Sequence, residues 1–332
     1  MRAEEIVETA RRIADEVLFP AAAATDAAPI VPVENLDVLA EAGLYGLSGP
    51  AAAGGLDADL DTACDVIELL AGGCLTTAFV WIQHLGAVLG VAMSRTPGLA
   101  DEWLVPMCRG ERRAGIALAG LLAGRPALRA EAVEGGWRFS GVAPWVTGWS
   151  RIDAVHAAAR DSGGNAVFAL LDAVPSATLE VTPPLELVAV RASSTVRADL
   201  RAHFVPDERV TAVAPPGGGG DVEVLRIHSA LVLGVAGRCC RLLGDSPLDA
   251  ELTACRRKLA EATPETVHAA RAAASELALR AGAAVVVSAG SGSLLAGEHA
   301  QRLAREAVFL SVFGGRPPVR AALLELLGAR LP

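Results

Sequence analysis

Apolar and polar residues along the first third of the chain recur at the three-and-four spacing of helices. IVETARRIADEVLF (6–19) and NLDVLAEAGLYGL (35–47) each carry one apolar face. Three more helices are predicted at 58–71, 76–93 and 98–109. The first opens with Asp59 and Asp61, which suit a helix N-terminus, and the second is apolar nearly all round. After Gly110 the texture changes to short β-rich runs: RAGIALAG (113–120), LRAEAVEGGWRFSG (128–141), APWVTGW (143–149), DAVHAAAR (153–160), NAVFALLD (165–172) and TLEVTP (178–183). Gly135 and Gly136 stand between two of these runs as a hairpin turn does. The spacing describes an antiparallel sheet or small barrel, closed by AHFVPDERV (202–210).

Pro215, Pro216 and the four glycines that follow support neither a helix nor a central strand, so a boundary falls there. Helical spacing then resumes at 222–243, 247–261, 264–287, 298–313 and 318–327, with Pro264 placed after Thr263 as a first-turn proline after its N-cap. The expected fold class is α+β. A helical domain at 1–112 precedes a β-domain at 113–214, and a second helical domain follows at 221–332.

Composition narrows the function. At 332 residues and 52% hydrophobic content the chain can bury a large core. A net charge of -9, with Lys258 the single lysine, argues against nucleic acid as a partner, since phosphate binding requires a basic face. The N-terminus is an acidic and basic mixture without an apolar signal core, so a cytoplasmic location is expected. Apolar stretches such as 281–289 look too short to span a bilayer, and no membrane partner is expected. The six cysteines lack paired spacing and lie in apolar helical contexts, which favours core packing over a metal or disulfide.

Four motifs together resemble the acyl-CoA dehydrogenase family. AEAGLYGLSGPAAAGGL (40–56) is similar to its loop after the second helix, and GGWRFSGVAPWVTG (135–148) to the hairpin leading into its flavin strand. RASSTVRADLRAHFVPDERV (191–210) is similar to the strand pair that ends its β-domain, and AREAVFLSVFGGRPPVRAALLELL (304–327) to its final helix pair. The resemblance implies FAD as cofactor and an acyl-CoA or acyl-carrier thioester as substrate, with hydride transfer from a CH–CH bond. It assigns Trp145 to cover the flavin ring, Thr147 to hydrogen-bond near its N5, and Val146 to the strand between them. Trp145 as plain core of the β-domain is the alternative. Backbone contacts to the flavin pyrimidine are implied at Leu118 and Ala119, and substrate contacts at Gly314 and Gly315.

The chain departs from the family at the residues that do chemistry. The position of the proton-abstracting glutamate in the last segment is Gly314, which has no side chain to act as base. Near the start of the first C-terminal helix, DVEVLRIHS offers Glu223 and His228 as substitute bases, against the plainer reading of a helix-start carboxylate and a partly buried histidine. ALAGLLAGRPA (117–127) lacks the hydroxyl and carboxylate expected there. LLGDSPLD (242–249) replaces an arginine and phenylalanine-glycine loop, and Val286 stands for a glutamine. Gly290 and Gly292 can approach a dinucleotide diphosphate or simply terminate a helix. Two further readings therefore accompany the dehydrogenase. One is a base-less subunit of a mixed oligomer with a homologous chain. The other is a repurposed member, such as a flavin monooxygenase or a flavin-free isomerase or dehydratase. Apolar surfaces in SALVLGVAGRCCRLL and ELALRAGAAVVV predict a homo- or hetero-oligomer through the C-terminal helices.

Overall fold

The computed structural model describes residues 2–121, 128–215 and 221–329. The Gly217 to Gly220 linker, and the part of the 117–127 loop beyond Leu121, lie outside the described residues. Helices α1 (Ala3–Arg12), α2 (Phe19–Ala27), α3 (Val33–Glu41), α4 (Leu60–Gly73), α5 (Leu75–Ala92) and α6 (Leu99–Cys108) come first, with a π-helical turn at Ile13–Leu18 joining α1 to α2. Asp59 caps α4, its carboxylate accepting from the Thr62 amide at 2.8 Å.

Eight strands follow: β1 (Ala114–Ala117), β2 (Leu128–Val133), β3 (Gly136–Val146), β4 (Ala154–Arg160), β5 (Ala166–Asp172), β6 (Leu179–Val181), β7 (Val196–Pro206) and β8 (Val210–Ala214). They form one sheet in the order β6-β7-β3-β2-β4-β5-β8, with β1 also on β4. Most neighbours are antiparallel, as expected. However, β1 and β2 both run parallel to β4, a direction that period-two patterning does not encode.

The C-terminal helices are α7 (Asp221–Leu243), α8 (Pro247–Ala260), α9 (Val267–Ala289), α10 (His299–Val312) and α11 (Pro317–Leu326). Ser246 and Asp249 form a capping box around Pro247 at the start of α8. Helix α9 begins at Val267, three residues later than its proline suggests. The Thr263 carbonyl accepts from both the Thr266 and Val267 amides, making a separate turn before the helix.

The two helical segments, far apart in sequence, share one core that contains Leu70, Trp81, Leu231, Leu277 and Leu303. The sheet buries its own cluster around Phe139, Val167 and Leu200, and Val88, Trp103 and Leu170 join α5 and α6 to it. Five of the six cysteines are buried. By length and composition α5 and α9 are apolar enough to cross a bilayer, which corrects the expectation from 281–289. Helix α5 is mostly buried inside the protein, as a central core helix is.

Candidate functional site

The PWVTG segment closes β3 at an irregularity. Ala143 pairs with Ala198 and Val146 with Val196, so three steps on β3 face two on β7 and a bulge falls at Pro144 and Trp145. Proline suits this place because it has no amide to give to a ladder. The bulge turns Trp145 outward, 45% exposed, while Val146 points into the sheet core. Val146 can therefore meet a ligand only through its backbone. Ala117, Ala119, Gly120 and Pro144 line a small hollow beside the indole, so the structure brings Trp145 and Ala119 together. Leu118 is not among the residues that line it.

Thr147 behaves differently. It is 5% exposed, where Trp145 is nearly half open. Its Oγ1 lies 3.1 Å from Thr195 Oγ1, which in turn lies 2.8 Å from Ser193 Oγ. The Gly148 amide donates to the Ser193 carbonyl at 2.8 Å and locks the two segments together. Val190 and Ser194 flank this turn with φ of 53° and 49°. That is a costly conformation for a β-branched residue, which a rigid surround must hold. Thr195 and Ser193 were not singled out from sequence, where RASST supported only the strand pair. Three consecutive hydroxyl residues at 193–195, next to a β-rich run, are the available signal.

The second half of the site gathers where α10 meets α11. Gly314 has a φ of +63°, and a Cβ built on it would stand 2.4 Å from His228 Nδ1 and 3.1 Å from both Cγ and Cε1. The ring of His228, from α7, thus lies across the Cα of Gly314. Part of His228 stays accessible, but its Nδ1 is buried and has no hydrogen-bond partner among the described residues. Burial pushes the imidazole down to about 3, and the Arg271 and Arg316 charges add to that shift. His228 is therefore neutral at pH 7 and a weaker base than an ordinary histidine.

Arg271, fully buried, builds this corner by donating to the carbonyls of Leu310 at 2.9 Å and Phe313 at 3.1 Å and to the Ser275 hydroxyl. Phe313 packs on His228 with centroids 4.9 Å apart and on Phe79 at 5.0 Å. Gly315 lies half-buried, its amide donating to the Val312 carbonyl. Phe79 and its neighbour Val80 on α5 connect the half-sites, because a Cβ on Gly148 would meet Val80 at 3.2 Å.

Glu223 and the Gly290 to Gly292 turn stand apart from both halves. Glu223 is exposed in the first turn of α7. Gly290 ends α9 with φ 70° and ψ -163°, a conformation open essentially to glycine. Ser293 Oγ donates to the Val286 and Gly290 carbonyls at 3.2 and 2.6 Å and completes that helix end, so this glycine does the work of a terminator.

Comparison with known proteins identifies the fold. The profile of the acyl-CoA dehydrogenase N-terminal domain matches residues 2–111. Benzylmalonyl-CoA dehydrogenase of Aromatoleum aromaticum is 28% identical over 243 residues, covering 70% of this chain and 64% of that protein. The chain resembles the acyl-CoA dehydrogenase family along most of its length, and its first third matches that family's N-terminal domain. A second family relative is named 3-sulfinopropanoyl-CoA desulfinase, from Paraburkholderia xenovorans, with 27% identity over 70% of this chain and 62% of its own length. In both cases the match spans under two thirds of the relative. The solved glutaryl-coenzyme A dehydrogenase in complex with glutaryl-CoA superposes with a TM-score of 0.84 at 18% identity, covering 99% of this chain and 95% of that one. That likeness shows a shared acyl-CoA dehydrogenase fold: helices, β-domain, helices.

Proposed function

We propose that this chain is a flavin-binding member of its family that acts on an acyl thioester, carried on CoA or a carrier protein, with oxidoreductase chemistry at a CH–CH bond. The observation that carries the reading is the outward turn of Trp145 at the β3 bulge, beside an apolar hollow walled mostly by alanine, glycine and proline, with Leu128 and Val142. An aromatic face left half open next to small residues fits the flat apolar ring of a flavin such as FAD. When bound, that group supplies the hydride acceptor. Trp145 would cover the ring, the backbone at Ala119 and Gly120 would meet its polar edge, and the Thr147 to Thr195 hydroxyl pair would back the same segment. The groups for the dinucleotide end are weak on this chain, since Gly290 serves its own helix.

The packing of His228 on Gly314 favours a second reading of the reaction step. Among the described residues, the groups that face His228 there are two cations and a ring, Arg271, Arg316 and Phe313. Either a homologous partner chain supplies the base, or the reaction proceeds without α-proton abstraction. A relative named for desulfination supports chemistry other than dehydrogenation within the family. The test mixes flavin-reconstituted protein with an acyl-CoA panel under anaerobic conditions. A shift of the flavin absorption without bleaching fits binding without oxidation by this chain alone. Full bleaching within seconds removes the second reading, and a spectrum indifferent to every thioester removes the first.

A further inference from the structure

We propose that His228 is a specificity-determining residue that closes position 314: its ring occupies the volume a side chain at 314 would need, so no base can act from the α10–α11 corner while it is present. The inference rests on the acyl-thioester reading for its chemical meaning, but its geometry stands alone. A Cβ at 314 would approach three ring atoms of His228, the nearest at 2.4 Å, well inside any van der Waals contact.

Both sides of the contact are packed. The ring is held against Phe313, which packs on Phe79 at 5.0 Å and Phe309 at 5.9 Å. The backbone of the corner is held by Arg271 through the Leu310 and Phe313 carbonyls, and Gly314 sits in the left-handed region. Positions 228 and 314 therefore compete for one space. A glutamate introduced at 314 meets the imidazole before it can reach a substrate, and restoring a base takes two substitutions.

The primary experiment uses the protein as purified and needs neither flavin nor substrate. Melting temperatures are measured for wild type, His228→Ala, Gly314→Ala and the double variant. Gly314→Ala is expected to lower the midpoint strongly in the wild-type background and clearly less in the His228→Ala background, where only backbone strain remains. Equal falls in both backgrounds overturn the proposal. If Gly314→Ala folds only when His228 is truncated, the coupling is seen at its extreme.

The chemical arm follows α-hydrogen exchange of butyryl-CoA in deuterated buffer by NMR, using flavin-reconstituted protein. Exchange requires removal and return of a proton and no oxidant. His228→Ala with Gly314→Glu is expected to exceed wild type at least tenfold, a floor below the roughly 10²- to 10⁴-fold that a general base contributes, while Gly314→Glu alone stays at the wild-type rate. Equal exchange by the single and double variants contradicts the proposal. A double variant that neither binds nor exchanges butyryl-CoA counts against the acyl-thioester reading, and the melting comparison still decides the role of the ring.

Discussion

Trp145 and Trp81 are the same residue in opposite settings. Trp81 is fully buried, with its indole N–H donating to the Leu44 carbonyl at 3.2 Å, whereas nearly half of Trp145 is open. Trp81→Ala should cost about 3 to 5 kcal/mol of stability by urea titration, while Trp145→Ala should cost little in the free protein. The histidines make a parallel case. Burial holds His84 and His156 down to about 4, and His228 down to about 3. Above pH 6.5 these groups are neutral folded or unfolded. As pH falls from 6.5 toward 4 the unfolded chain takes up protons that the folded chain refuses, so stability declines through that window. Urea midpoints at pH 7.5, 6 and 5 should converge between wild type and His156→Gln, because the variant lacks that group's share of the slope. At this scale Trp145 and Gly314 were legible through motif. The partner of Thr147 and the neighbour of Gly314 were not, because Thr195 and His228 lie 48 and 86 residues away and only the folded chain brings them close.

Helices α4 and α7 cross backbone to backbone. A Cβ on Gly234 would lie 2.3 Å from the Glu68 carbonyl oxygen, and one on Gly72 would lie 2.9 Å from the Gly234 carbonyl oxygen. This crossing ties the first helical segment to the last. Gly234→Ala should push the helices apart and lose about 1 to 3 kcal/mol, seen as a lower urea midpoint; an unchanged midpoint would show that the crossing relaxes. The helices themselves were readable because each is long enough to repeat its apolar face, and α4 to α8 begin and end within two residues of their predicted limits. The sheet was readable as strands but not as a sheet. Alternation tells which face is buried, not which strand lies alongside or in which direction, so the parallel placement of β1 and β2 on β4 came only with the fold.

The whole molecule joins its outer helical segments in one core and leaves an apolar surface on the last helices. Val287 at the end of α9 is 80% exposed, Leu294 in the turn between α9 and α10 71%, and Val312 at the end of α10 66%. Side chains this open are what a partner subunit covers, and a dimer or tetramer is expected by light scattering; a monomer throughout the micromolar range would contradict it. The central claim, that the β3 bulge presents Trp145 to a flavin, is tested most directly by equilibrium titration with FAD. Wild type and Trp145→Ala are compared by the change in flavin absorption and fluorescence. The account predicts saturable binding by wild type and a loss of roughly tenfold to a hundredfold in affinity for the variant, corresponding to about 1 to 3 kcal/mol for the aromatic cover. Wild-type protein that takes up no FAD, or a Trp145→Ala protein that binds it as tightly, would contradict it.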